Sequence, residues 1–133
     1  MILGIGIDSV NIDRIRKILN RHGDIFVNRI YTEAEQNKAN SRKDSVNTYA
    51  KHWAAKEACS KALGTGIRMG VNWKEMTISN KKSGEPTIFL SGSAKKRLNE
   101  LTPEGHTSKI HISLSDDHPS ANALVLIEAN PLV

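Results

Sequence analysis

Two carboxylates and a lysine carry the most chemistry in this chain: Asp8, Glu57 and Lys61. Glu57 and Lys61 lie in the run Trp53-Ala54-Ala55-Lys56-Glu57-Ala58-Cys59-Ser60-Lys61-Ala62-Leu63-Gly64-Thr65-Gly66, which reads as an alanine-rich helix halted by glycine. Their spacing places both side chains on one helical face. Asp8 ends the apolar run Gly4-Ile5-Gly6-Ile7. Mg²⁺ prefers oxygen ligands and is usually held by one or two carboxylates, with water and substrate phosphates completing its shell. Asp8 and Glu57 satisfy that requirement, and Lys61 beside them would neutralise phosphate charge. Gly64 and Gly66 free the backbone for a tight turn whose N–H groups are expected to be exposed. Each signal alone has a plainer reading: a surface ion pair, a turn aspartate, a helix stop. The Gly4-x-Gly6 pair does not continue as a dinucleotide fingerprint, because Asp8 and Val10 occupy the positions that follow.

The elements that must position these groups are legible from periodicity. Residues 2–7 read as a buried strand. Asn11 caps a helix through about Arg21, with Ile12, Ile15, Ile18 and Leu19 on its inner face. Thr32 and Glu35 carry the capping-box signature of a second, short helix. A central helix runs from about Asn47 to Leu63. Residues 76–79 and 87–90 flank Lys81-Lys82-Ser83-Gly84 and read as a hairpin. Residues 93–101 look helical, with Ala94, Leu98 and Leu101 inward. Ile110, Ile112 and Leu114 alternate with His111, Ser113 and Ser115 as a half-buried strand, and a turn at 116–120 leads to a last strand at 123–128. The sum is an α+β fold: one domain over residues 1–133, with an antiparallel sheet packed on a long central helix.

Composition narrows the function. The net charge of +5 points to an anionic partner: nucleic acid, a phosphorylated cofactor or an acidic protein. Aromatic residues are too scarce for a base-stacking platform, with two each of Trp, Tyr and Phe. A single cysteine, Cys59, excludes an intramolecular disulfide and a cysteine-rich metal site, fits a reducing cytosol, and reads as a small buried helix residue. Residues 1–7 are too short for a signal core and lack basic flanks, and no stretch approaches the roughly 20 apolar residues of a membrane span. A nucleic-acid-binding module without catalysis is the competing class, supported by the basic segments 38–43 and 95–97. It has no recognised motif here and leaves Asp8 and Glu57 unexplained.

Four segments together, Gly4-Ile5-Gly6-Ile7-Asp8, Phe26-Val27-Asn28-Arg29-Ile30-Tyr31-Thr32-Glu33-Ala34-Glu35, Trp53 to Gly66 and His111-Ile112-Ser113-Leu114-Ser115-Asp116, resemble the holo-[acyl-carrier-protein] synthase family of 4′-phosphopantetheinyl transferases. The resemblance covers nearly the whole chain in order, and the central helix motif is its most specific part. It implies an enzyme that moves 4′-phosphopantetheine from coenzyme A to a serine of apo acyl carrier protein and releases adenosine 3′,5′-bisphosphate. It further implies Mg²⁺, a role in fatty acid biosynthesis, a cytoplasmic location, no nucleic-acid or membrane partner, and a homotrimer with active sites between subunits. Asp8 and Glu57 match the family's metal ligands, and Lys61 matches the lysine beside the pyrophosphate, so these three are the candidate catalytic residues.

The serine nucleophile comes from the partner protein, and the acceptor of its proton stays open between a water at the metal and a nearby carboxylate. Arg42, Lys43, Lys51 and His52 are candidates to hold the 3′-phosphate of coenzyme A, with Lys56, Ser60, Gly64 and Gly66 as further contacts along the central helix and its turn. Two positions depart from the family: His52 stands where many relatives carry arginine, and Asp116 where some carry histidine. No histidine base is therefore available at 116, and His111 reads as a structural or interface residue. Acyl carrier protein is strongly acidic, and the outward row Arg14, Lys17 and Arg21 on the first helix is the expected dock.

Overall fold

The computed structural model describes residues 1–133 as β1 (Ile2–Asn11), α1 (Ile12–Ile30), α2 (Glu33–Asn40), α3 (Ser45–Ala62), β2 (Met76–Asn80), β3 (Pro86–Leu90), α4 (Gly92–Leu101), β4 (His106–Asp117) and β5 (Ser120–Pro131). A single 3-10 turn, Trp73–Glu75, precedes β2. One antiparallel sheet has the order β1-β5-β4, and β2 and β3 form a separate two-stranded hairpin. The expected α+β class and antiparallel pairing are both present.

The close seat of α3 on β1 does most to place the site. A Cβ at Gly4 would strike the carbonyl oxygen of Ala62, and one at Gly6 that of Ala58. Glycine at both positions lets the helix lie directly on the strand, with Ala54, Ala55 and Ala58 wholly buried behind it. The glycine pair is therefore a packing device. Because side chains alternate along a strand, Gly4, Gly6, Asp8 and Val10 share the face that meets α3.

That same alternation corrects the expectation of a buried first strand. Ile5 and Ile7 point away from α3 and are 61% and 68% exposed. They pair across the sheet with Leu126 and Leu124, so the outer face of the sheet carries an uncovered apolar row.

Asn11 caps α1 as expected, its side chain accepting from the Arg14 N–H. The helix does not stop near Arg21, however. It kinks at His22, where φ is −130°, and resumes to Ile30. Phe26 and Val27 pack against the core and Ile30 is buried, so tertiary contacts carry the chain past Gly23. The Thr32–Glu35 capping box forms as read. Asp44 caps α3 two residues earlier than expected. The hairpin register pairs Ile78 with Ile88, in line with the sequence. Strands β4 and β5 extend beyond their apolar cores, because pairing continues to Asp117↔Ser120 and tightens the expected turn to His118-Pro119.

Candidate active site

Asp8 and Lys61 meet across the β1–α3 contact. Lys61 Nζ donates to Asp8 Oδ1 at 2.9 Å and to the Ile7 carbonyl at 3.1 Å. The second oxygen, Asp8 Oδ2, is buried and has no hydrogen-bond donor. Burial pushes the Glu57 carboxyl above its usual range, and the Asp8 charge adds to the rise while Lys61 opposes it. The hydrogen bond to Asp8 raises the Lys61 ammonium. Two mutually repelling carboxylates, one with an orphaned buried oxygen, form a donor set of hard oxygens that fits a divalent cation. The chain offers no cluster of three or more His, Cys, Asp or Glu side chains. A cation held by two carboxylates keeps positions for water and phosphate oxygens, which suits Mg²⁺ better than a metal wanting a closed protein cage.

Four expected coenzyme A contacts, Lys56, Ser60, Gly64 and Gly66, are relocated by the structure. Lys56 is wholly buried. Its ammonium donates to Glu35 Oε1 at 2.6 Å, the Ile30 carbonyl at 2.9 Å and the Trp73 carbonyl at 3.0 Å. All three N–H bonds are committed, so Lys56 has none for a phosphate. Ser60 is also fully buried, and its hydroxyl donates back to the Glu57 carbonyl at 2.7 Å. The expected exposed N–H groups of the glycine turn are used internally: Gly64 donates to Lys61, while Thr65 and Gly66 both donate to the Ser60 carbonyl. Gly64, with φ of +80°, and Gly66, with φ of +63°, close the helix end and do not cradle an anion through these groups.

Arg42, Lys51 and His52 do come together. With Lys38, Thr48 and Asn80 they line a small cavity of about 70 Å³, while Lys43 is exposed beside it. Burial, with the cations of Lys38, Lys56, Lys51 and Arg42, pushes the His52 imidazole down to about 3. The ring is neutral near pH 7, and its Nδ1 has no hydrogen-bond partner. It lies 3.7 Å from Glu35 Oε2, beyond hydrogen-bond reach. His52 therefore shapes the cavity and brings no charge to it. Asp116 sits at its edge, pairing with Lys51 at 3.2 Å. At about 100° per residue, the nine positions from His52 to Lys61 turn α3 through roughly half a circle, so the basic cavity and Lys61 occupy opposite sides of the helix.

Arg14, Lys17 and Arg21 are exposed along α1 and line a cleft of about 630 Å³. Beside it is an apolar cavity of about 280 Å³, with Val10, Ile15, Phe26, Trp53 and Trp73 as walls and Arg14 and Arg29 at its rim. The two indoles are stacked, with ring centroids 5.6 Å apart. Val10, one wall of this cavity, lies two residues beyond Asp8 on the same face of β1, roughly 7 Å along the strand. Sequence reasoning did not single out Trp73 or Arg29. The rarity of tryptophan was the available signal for Trp73, but no periodic pattern links it to Trp53.

His111 is exposed on the outer sheet face with Nε2 3.0 Å from Glu128 Oε1, remote in the fold from Asp8 and in keeping with a structural or interface role. Cys59 is buried as expected, its thiol pushed up to about 12 by burial, and is inert as a nucleophile.

A sheet seated on a long helix, with paired carboxylates and a lysine at the junction, is an arrangement suited to a metal-bound phosphate. The sequence profile of the 4′-phosphopantetheinyl transferase superfamily matches residues 4–122. Holo-[acyl-carrier-protein] synthase of Ruegeria sp. (strain TM1040) is 58% identical over 133 residues, 100% of this chain and 94% of that protein. The synthase of Dinoroseobacter shibae is 58% identical over 132 residues, 99% of this chain and 95% of its own. Among solved structures, the synthase of Neisseria meningitidis superposes with a TM-score of 0.85 at 36% identity, covering 96% of this chain and 99% of that one. The Bacillus anthracis synthase, solved in complex with CoA (3′,5′-ADP), gives a TM-score of 0.78 at 36% identity over 98% and 99% of the two chains. This chain belongs to the holo-[acyl-carrier-protein] synthase family of the 4′-phosphopantetheinyl transferase superfamily.

Proposed function

We propose that this enzyme transfers 4′-phosphopantetheine from coenzyme A to a serine hydroxyl of apo acyl carrier protein, releasing adenosine 3′,5′-bisphosphate, and that it serves fatty acid biosynthesis in the cytoplasm. The observation that carries the reading is the buried, unpartnered Oδ2 of Asp8 beside Glu57, with the Lys61 ammonium at its rim. In the reaction the serine oxygen forms a bond to the β-phosphorus. The bond from that phosphorus to the bridging oxygen breaks, and the nucleotide leaves with the bridging oxygen. Asp8 and Glu57 hold Mg²⁺, which when bound supplies charge neutralisation on the pyrophosphate. Lys61 is half exposed, so its ammonium can leave Asp8 for a phosphate oxygen and stabilise the charge that develops there. A nearby carboxylate or a water takes the serine proton.

The carrier protein docks on α1. Arg14, Lys17 and Arg21 supply positive charge to an acidic partner, and the neighbouring tryptophan-lined cavity receives an apolar side chain from it. The enzyme works as a homotrimer. Two features support this: the uncovered row of Ile5, Ile7 and Leu124 on the outer sheet face, and the separation of the basic cavity of Arg42 and Lys51 from Lys61 within one chain. A second copy seated on the sheet brings a basic cluster to the nucleotide end of coenzyme A bound at Asp8. The Bacillus anthracis and Helicobacter pylori relatives were each solved with coenzyme A or its nucleotide, which supports coenzyme A as the donor here. No helix is long and apolar enough to cross a membrane.

Mass spectrometry of apo acyl carrier protein incubated with the enzyme, coenzyme A and Mg²⁺ tests the reading. A mass gain equal to phosphopantetheine on the carrier, with stoichiometric adenosine 3′,5′-bisphosphate, is expected. An unchanged carrier mass under those conditions refutes it.

A further inference from the structure

The most heavily committed charged group in the fold is not at the carboxylate pair. Glu35 is buried and accepts from Lys56 Nζ at 2.6 Å, the Thr32 N–H at 2.9 Å and the Ile78 N–H at 3.1 Å. Lys56 in turn spends its remaining N–H bonds on the carbonyls of Ile30 and Trp73. A buried ion pair of this kind is seldom a stability device, because its desolvation cost rivals its attraction and well-packed apolar residues often do as well. What the pair does here is geometric. It ties three segments to the central helix: the end of α1, the start of α2, and the turn before β2.

Both carbonyls that Lys56 holds belong to walls of the apolar cavity. Ile30 and Trp73 line it. Trp53, one helical turn before Lys56, stacks on the Trp73 ring at an interplanar angle of 28°. Remove the ammonium and the Ile30 carbonyl loses this donor, the Trp73 carbonyl is left with the Met76 N–H that closes its turn, and the tie from α3 to these two walls of the cavity is lost. The lysine next to Glu57 in the helix motif therefore acts on the side away from the phosphate chemistry.

We propose that Lys56, with Glu35 as its counter-charge, is a positioning residue for carrier-protein recognition, holding the Trp73 and Ile30 walls of the docking cavity against Trp53. This rests on the docking reading given above. It assigns the lysine a role in affinity for the protein substrate and none in binding coenzyme A.

The test removes both charges together, Lys56→Met with Glu35→Gln, so that no lone charge is left buried and the Thr32 cap keeps an acceptor. The chain has two tryptophans, so near-ultraviolet circular dichroism reports the Trp53–Trp73 stack directly. The expected result is a folded protein with a diminished indole signal, a KM for apo carrier protein raised roughly tenfold, and a KM for coenzyme A within about twofold of wild type. A raised KM for coenzyme A with that for carrier protein unchanged overturns the proposal. So does an unchanged indole signal with both constants at their wild-type values. Should the double variant not fold, the wild-type protein decides by lysine-selective ¹H–¹⁵N spectra. The Lys56 ammonium signal is expected to move when apo carrier protein is titrated in and to stay fixed with coenzyme A; the reverse pattern overturns the assignment. A wild-type enzyme that transfers nothing to any carrier defeats the docking reading itself, an outcome separate from these.

Discussion

Lys61 on α3 and Asp8 on β1 are joined by a 2.9 Å ion pair, and this pair occupies one oxygen of a carboxylate whose other oxygen has no donor. The lysine thus balances Asp8 in the free chain and is half exposed, free to turn to an incoming phosphate. Because the ammonium lies largely in solvent, its worth is in charge placement more than in folding stability.

Loss of either carboxylate is expected to stop transfer without unfolding the protein. Glu57→Gln keeps shape and removes charge, and Asp8→Ala removes the orphaned oxygen. Both should lower turnover by at least about a hundredfold. Chelation of the wild-type enzyme should do the same, with recovery on adding Mg²⁺. Turnover near wild type in both variants, alongside unchanged thermal melting, removes Asp8 and Glu57 from the site.

Lys61→Met keeps the helix and most of the stem but not the cation. If the ammonium stabilises charge on the leaving phosphate, kcat should fall by on the order of 10²–10³. KM for coenzyme A should change less. Steady-state kinetics on both substrates separates the two, and a mild drop in kcat would leave Lys61 as a surface partner of Asp8 alone.

Charge reversal on α1 probes docking apart from chemistry. Arg14→Glu with Arg21→Glu places repulsion where an acidic helix must land, so KM for carrier protein should rise steeply while that for coenzyme A holds. Rim charges act on association rate and its salt dependence, so the wild-type enzyme should slow with added salt and the double variant should be less sensitive. An unaltered KM for carrier protein locates the dock elsewhere.

The outer sheet face predicts the assembly. Ile7 and Leu124 are cross-strand neighbours, 68% and 41% exposed. Leu124→Arg puts a charge in the middle of the row and should yield a monomer by sedimentation in place of the proposed trimer, with transfer falling at least about tenfold. A variant that sediments like wild type shows that this face is not the interface.

His52 gives the fold a pH dependence of definite sign. Its imidazole stands at about 3 in the folded chain, below the ordinary value of about 6.5. The neutral ring is therefore favoured by folding, and its contribution is intact above about pH 6.5. As pH falls below that value the unfolded chain gains a proton that the folded chain refuses, and stability declines by about 1.4 kcal/mol per pH unit toward pH 3. His52→Gln should flatten this slope. Urea denaturation of both proteins between about pH 5 and 7.5 measures the difference, and parallel slopes count against a buried neutral ring.

Much of this protein was written locally. The capping box at Thr32, the Asn11 cap, the hairpin around Lys81–Gly84 and the alternation in β4 depend on neighbours a few residues away, so the sequence alone determined them. The family motif likewise marked Asp8, Glu57 and Lys61. Contacts that cross the fold were decided only by tertiary packing. Gly4 and Gly6 read only as the start of a dinucleotide fingerprint that does not continue, and are the seat for α3, because the obstructing atoms are carbonyls of Ala62 and Ala58. Lys56 looked like a phosphate ligand and is buried on Glu35, because the run of α3 that also carries Glu57 packs another of its sides against α2. The isoleucines of β1 looked like core and face outward, because hydrophobicity does not say which side of a strand the helix takes. Burial and hydrogen-bond partners are set by residues dozens of positions apart, and no local pattern encodes them.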